Sequence, residues 1–464
     1  MLPQGETPEK PVRKIPHLRW MVAAGLLFAA VLNYIDRSVL GLLANTIQKD
    51  LGISNDQYAT VVNWFLVAYT LAYLLSGRVV DKLGVRISLA LFVAWWSISN
   101  ALTGLATSVK SLSVFRFMLG LGEAGGFTAS PKAVGEWFPP TERGLAIGIY
   151  SLGGALGAAI APVLVANIAG HPALGWRWVF AVSPLLAGIW LIGWLWLYRR
   201  PAEHPRITEG ELAHLRESIA ESERAAAAPR ESEWTLWKGV LREPVVWRLM
   251  LARMLTDPVW YFYQFWMPKY LQEAHGLDQK GVAIMWMVFV AADIGFLAGG
   301  IFSGALVRRG NAPPASRLWV MLTSACLVPC SFLIPQLPTV AMIITAAMIV
   351  CYAHTQWLTN MTSLVVDVMP KRILATSFGV IAAGSALGGI FMNKLVAAFI
   401  DPNPIATPTF LAGAGWADSA MLWLNAHRGY GSLFVLMAFV HPLAFALIWG
   451  LRSRGAKSAT ASSP

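Results

Sequence analysis

The sequence predicts an all-α membrane protein of about twelve transmembrane helices, built as two related halves of six. Three observations carry that expectation. The composition is too apolar for a soluble domain, the apolar runs are long enough to cross a bilayer, and one motif recurs half a chain apart.

Of the 464 residues, 56% are hydrophobic and only 13% are charged. A soluble globular domain carries about 25% charged residues. A helix needs roughly 20 apolar residues to cross a hydrocarbon core about 30 Å thick. Runs of that kind lie near 20–42, 58–80, 87–108, 112–134, 144–169 and 176–198, then near 245–271, 280–306, 316–335, 339–366, 374–400 and 430–451. In lipid every backbone N–H and C=O must be satisfied inside its own segment, so these runs are helices.

The runs divide the chain into an N-terminal tail (1–19), a six-helix bundle (20–198), a polar linker (199–243), a second six-helix bundle (244–452) and a C-terminal tail (453–464). The first apolar stretch is long enough to remain as a span, with no short leader and cleavage site before it. In the linker, Thr208 and Glu211 have capping-box spacing and predict the start of a surface helix.

Lys and Arg fall mainly on one side of the spans. That side holds Lys14 and Arg19, then Arg78, Lys82 and Arg86, then Arg143, Arg199 and Arg200, Arg308 and Arg309, Lys371 and Arg372, and Arg452. The opposite loops are sparse in Lys and Arg, which predicts that both termini are cytoplasmic, in an inner (cytoplasmic) membrane. The net charge of +11 sits in clusters at span ends, with no polar domain to read a base sequence, so no nucleic-acid partner is expected. Cys326, Cys330 and Cys351 lie within apolar segments and read as small buried hydrophobes. No metal-ligand spacing is present, and no cofactor or metal is expected. Gly120, Gly122 and Gly125 fit a dinucleotide-loop pattern but lie inside an apolar helix with no preceding strand, and are discounted.

The repeat is specific. Pro139, then Gly148, Gly153, Ala155, Leu156 and Gly157, recur 231 residues later as Pro370, Gly379, Gly384, Ala386, Leu387 and Gly388. The pattern joins span five to span eleven, and small residues at these spacings let helices approach closely.

Between spans two and three lies Gly77-Arg-Val-Val-Asp81-Lys82-Leu-Gly84-Val-Arg86. This resembles the signature loop of the major facilitator superfamily. A weaker copy, from Gly304 to Arg308, Arg309 and Gly310, stands in the equivalent loop of the second half without the acidic residue. Other stretches are similar to the anion:cation symporter family within that superfamily. They are Asn33-Tyr34-Ile35-Asp36-Arg37, Arg116 with Glu123, and Glu136-Trp137-Phe138-Pro139. Span seven, from Thr256 to Leu271, and span ten around His354 to Asn360 resemble the hexuronate transporter branch. The resemblance implies the major facilitator fold, with two pseudo-symmetric bundles and alternating access. It implies a gating role for Gly77, Asp81, Lys82, Gly84 and Arg86, and proton coupling through Asp36 and Glu123.

A charge at mid-bilayer costs roughly 2.5–3.5 kcal/mol on insertion scales, so each needs a partner or a task. Arg116 and Glu123 stand seven residues apart, close to two turns, and share a face of span four. Either the charges are a static ion-pair set, or they couple protons. In the second reading Arg37 binds the substrate carboxylate and Arg116 tunes the two acids. Arg253 can grip a carboxylate with two parallel hydrogen bonds, or it can pair with Asp257 or Asp293. Adding 231 to 123 gives 354, so His354 occupies the place of Glu123 in the second half. It reads as a ligand or as a satisfied core histidine. Gln356, Trp357 and Asn360 offer polar and flat surface for a hydroxylated ring, with Tyr34, Tyr69 and Tyr261 adding hydroxyls.

The expectation is a proton-coupled symporter, not an enzyme, importing a small organic anion such as a hexuronate. It would work as a monomer in the bilayer, driven by the proton gradient. The rivals are an antiporter of another organic anion, such as a carboxylate or aromatic acid, and a membrane sensor without flux.

Overall fold

The computed structural model describes residues 14–171, 173–216, 220, 232–370, 373–405 and 415–453. Lys371, Arg372 and most of both tails lie outside the described residues. Among the described residues, nine stretches are long and apolar enough to cross a membrane. They include Leu18–Leu42 (span one), Leu75–Thr103 (span three), Leu145–Ala169 (within span five) and Trp176–Leu197 (span six). In the second half they are Gly281–Arg308 (span eight), Pro313–Gln336 (nine), Val340–Val368 (ten), Thr376–Ile400 (eleven) and Tyr430–Arg452 (twelve).

Three further helices complete the twelve. They are the first arm of Asn55–Thr103 (span two), Val109–Trp137 (span four) and Pro244–Phe265 (span seven). Spans four and seven carry Arg116 with Glu123 and Arg253 with Asp257. Their ionic residues dilute the hydropathy that marks the other spans.

Spans two and three are continuous through 49 residues, bent where Gly84 takes φ 73° and ψ 163°. Only glycine adopts that region without strain. Span seven runs through Pro258 and breaks at Trp266, just before Pro268 opens the short helix Met267–His275. The break therefore lies two turns beyond Pro258, the proline inside the helix. Span nine ends as a 3-10 helix, Val328–Gln336, which contains two prolines. The long loop after span eleven contains a helix, Gly415–His427.

The repeat has a physical basis. A Cβ on Gly153 or Gly157 would come within 2.2 or 2.4 Å of the Leu27 or Val31 carbonyl oxygen of span one. On the equivalent Gly384 or Gly388 it would meet the Met250 or Met254 carbonyl of span seven at 2.4 or 2.2 Å. Both halves therefore cross the same pair of helices backbone to backbone, and only glycine permits it.

The linker begins as expected, with Thr208 Oγ accepting from the Glu211 N–H at 3.3 Å. The Glu211 carboxylate does not close the capping box. It accepts from the Leu18 and Arg19 N–H groups at 3.0 and 3.1 Å and caps span one instead. A carboxylate there meets free donors and the positive end of the helix dipole.

Polar contacts that join the halves cluster at the end opposite the termini. Buried Lys269 reaches Asn45 and Gln48, both at 2.7 Å. Asn45 also donates to Gln272, and Tyr58 to the Phe265 carbonyl. Asn63 bonds to the Ile390 carbonyl and to Asn393, and Lys394 bonds to Asp56.

Candidate functional site

Span one delivers Asp36 and Arg37 on adjacent positions, about 100° apart around the helix, so they face different neighbours. Asp36 turns towards span three and is fully buried. Its Oδ1 accepts a 2.6 Å hydrogen bond from Asn100 Nδ2. Arg37 turns towards span four, where Nη2 and Nε lie 2.8 and 2.9 Å from the same oxygen, Glu123 Oε2. Its guanidinium also lies over the rings of Tyr34, Phe65 and Tyr69 at 5.1, 5.5 and 4.8 Å. An arginine between aromatic faces keeps its charge stabilised while its N–H groups point to acceptors in the guanidinium plane.

Arg116 and Glu123 share span four, as their spacing requires, but Glu123 bonds to Arg37. Arg116 is buried, with Nη1 3.5 Å from the Asp36 backbone oxygen and its guanidinium 5.1 Å from the Phe65 ring. One carboxylate oxygen on each acid, Asp36 Oδ2 and Glu123 Oε1, has no hydrogen-bond partner among the described residues. The arrangement joins two acids and two guanidiniums, with one oxygen of each acid available to a proton.

The second half places its predicted residues on two faces of span ten. Positions 354 and 356 are 200° apart around an α-helix, so His354 and Gln356 meet different neighbours. His354 Nδ1 lies 3.2 Å from Nε2 of His441 in span twelve. Its ring stacks on Trp260 at 6.2 Å, and Trp357 packs edge-on against His441 at 5.2 Å. On the other face, Gln356 Oε1 accepts from Ser324 and Thr323 of span nine, at 3.0 and 3.2 Å. Asn360 Nδ2 donates to the Gly299 carbonyl of span eight at 3.1 Å. Gln356 and Asn360 thus bind span ten to its neighbours.

Arg253 pairs with Asp257 one turn along span seven, Nη2 at 2.6 Å and Nε at 2.8 Å from Oδ2. Tyr261 stands 3.3 Å from Ser385 through its hydroxyl. Trp260 and Tyr34 face each other across a cavity of about 700 Å³ between the halves.

In the signature loop Asp81 bonds to Lys132 of span four at 2.6 Å. Arg86 donates to the Leu195 carbonyl, and Trp194 donates to the Arg86 carbonyl. Lys82 is exposed, and Gly77 faces open space. The second half has an ion pair of its own, Arg317 to Asp367 at 3.2 Å, at the positions that Arg86 and Glu136 hold in the first half. Sequence reasoning missed Asn100, Lys132, Trp260 and His441. Lys132 alone had a local signal, a cation two turns past Glu123 at a span end.

The major facilitator superfamily model matches residues 26–392. The chain belongs to the major facilitator superfamily. A hexuronate transporter of Escherichia coli (strain K12) is 30% identical over 84% of this chain and 89% of its own. A galacturonate transporter of Dickeya chrysanthemi is 32% identical over 62% of this chain and 82% of its own. A solved bacterial homolog of the human lysosomal transporter Spinster, inward-facing, superposes with a TM-score of 0.71. It is 20% identical, and the match covers 96% and 98% of the two chains. The protein is therefore a multi-pass membrane transporter of organic anions, not an enzyme, in the anion:cation symporter branch.

Proposed function

We propose that this chain imports a sugar acid of the hexuronate class together with protons, by alternating access, in the inner membrane with both termini cytoplasmic. The observation that carries the reading is the buried Arg37–Glu123 pair set among Tyr34, Phe65 and Tyr69. A substrate carboxylate is a direct competitor of Glu123 for the Arg37 fork. When substrate takes Arg37, Glu123 is left buried without its cation, and a lone buried carboxylate is costly unless protonated. Proton uptake by Glu123 and substrate capture by Arg37 thereby become one event.

Asp36, tied to Asn100, is the second acid of the set, and Arg116 between the two supplies the positive field that keeps both from being neutral at once. Arg253 is the second anion contact. The relatives named for hexuronate and galacturonate support a hydroxylated monoanion. The polar ties around Lys269 close the end opposite the termini, so substrate enters or leaves this state from the other end. Transport then rocks one half against the other around the midplane. The proton gradient drives the cycle in a monomer, with no cofactor.

The test is uptake of labelled galacturonate into proteoliposomes under an imposed inward proton gradient. The wild type should accumulate it, and Glu123→Gln should lose accumulation while keeping substrate counterflow. Accumulation by Glu123→Gln that still follows the gradient would sink the assignment.

A further inference from the structure

One carboxylate at membrane depth belongs to none of these pairs. Asp293 of span eight makes no hydrogen bond or ion pair among the described residues, and it lines the central cavity. Phe289, Asp293, Phe296 and Gly300 all line that cavity. Their steps of four, three and four residues form one helical face. The opposite face of span eight is fixed against span ten, where Gly295 and Gly299 meet the Tyr352 and Gln356 backbones. Asp293 therefore cannot swing away into the protein without unpacking the helix.

Among the described residues, Asp293 is the only charged one on the cavity wall. Tyr34 of span one and Tyr150 of span five are the other titratable residues of the described lining. Span seven contributes Trp260, with His354 of span ten stacked behind it. Tyr352 also lies on span ten; span nine holds Cys326, Cys330 and Arg317, the last bonded to Asp367. The nearby cations are committed elsewhere, Arg37 to Glu123 and Arg253 to Asp257.

We propose that Asp293 is a third proton site, which must be neutral for an anion to occupy the cavity beside it. This rests on the proposed import of a sugar acid, with that acid entering the cavity lined by Tyr34, whose ring lies under the Arg37 guanidinium. Two negative charges in a poorly solvated cavity repel far more strongly than in water. An ionised Asp293 excludes the substrate anion, and a protonated Asp293 admits it and offers an O–H to a substrate hydroxyl or carboxylate. Proton and anion then bind together at this position without any movement of the protein. By linkage, affinity falls by up to about tenfold for each pH unit above the titration of Asp293.

The experiment measures equilibrium binding of galacturonate to purified protein in nanodiscs, without a gradient, from about pH 5 to about pH 8.5. The wild type should bind more weakly as pH rises. Asp293→Asn, which fixes the neutral form, should flatten the slope to the part that Glu123 contributes, and Asp293→Glu should restore the full slope. A slope unchanged in Asp293→Asn overturns the proposal. So does a loss of affinity at every pH, which would make Asp293 an acceptor for a sugar hydroxyl. Absence of wild-type binding at every pH removes the sugar-acid reading and the inference with it. Loss of proton-driven uptake concerns Glu123 and Asp36, and is read separately in proteoliposomes.

Discussion

Glu123 and His354 occupy the same place in the two halves, 231 residues apart. The surroundings differ in kind. Around Glu123 lie two guanidiniums and a second acid, all within the membrane and all but Arg37 inaccessible. Around His354 lie His441, Trp260 and Trp357, with no charged hydrogen-bond partner among the described residues. An N–H to N bond between two imidazoles needs at least one neutral ring, since one nitrogen must accept. Duplication thus preserved the helix crossing and left the chemistry free to diverge. One half holds charges whose balance a substrate can upset, and the other holds a rigid aromatic wall.

The largest effects should come from what the halves share. Gly157→Leu and Gly388→Leu each drive a side chain into a span-one or span-seven carbonyl, closer than any heavy atoms pack. Both variants should lose the monodisperse peak in size-exclusion chromatography, while Gly148→Leu, which faces open space, should keep it. Tolerance in only one half would show that the crossings are not equivalent.

Next come the two divergent positions. Glu123→Gln should cut gradient-driven uptake by roughly 100-fold or more, the scale of losing a proton-transfer group. His354→Gln should leave the gradient dependence intact. It should weaken substrate binding by about threefold to tenfold, because Trp260 loses the ring it stacks on, a contact of about 0.5–1.5 kcal/mol. If His354→Gln abolishes coupling, the division between the halves fails.

How much of this could be read from the chain depends on whether the signal is local. Apolar runs, the Gly77–Arg86 loop and the 231-residue repeat are patterns along the sequence, and each marks what the structure contains. The membrane charges Asp36, Arg37, Arg116 and Glu123 stood out because lipid makes them costly. Their pairing did not, since Arg37 and Glu123 are 86 residues apart and Asn100 is 64 from Asp36. The His354–His441 bond spans 87 residues. Lys269 reads as a loop cation, yet 224 residues separate it from the Asn45 that buries it. Helical phase was legible in principle. Applied to span ten, it separates His354 and Trp357 from Gln356 and Asn360.

A smaller effect tests whether Arg253 resembles Arg37. Both arginines give two N–H groups to one carboxylate oxygen, but Asp257 sits on the same helix one turn away, whereas Glu123 comes from another span. A partner on the same helix cannot be displaced by relative movement of helices. Asp257→Asn should therefore release Arg253 and tighten anion binding by about threefold to tenfold, the net range of one ordinary hydrogen bond. Unchanged affinity would make Arg253 only the neutralising partner of Asp257.

The smallest effect concerns the two loop latches. The first half ties loop acid Asp81 to helix base Lys132, and the second ties Arg317 at a span start to Asp367 at a span end. The Asp81 side chain is 49% exposed, and exposed pairs contribute between about 0 and 1 kcal/mol. Breaking either latch should shift Tm little, so any consequence appears in the rate of cycling. Asp81→Lys should slow uptake by about twofold to fivefold, within that energy range. The double variant Asp81→Lys with Lys132→Asp reverses the signs and should recover the rate if attraction is all the latch supplies. Failure of the double variant to recover would mean that Asp81 does something a reversed pair cannot. An acid at that position would then bond elsewhere in the other transport state, a role the second half, with Ala312 at the equivalent position, does not have.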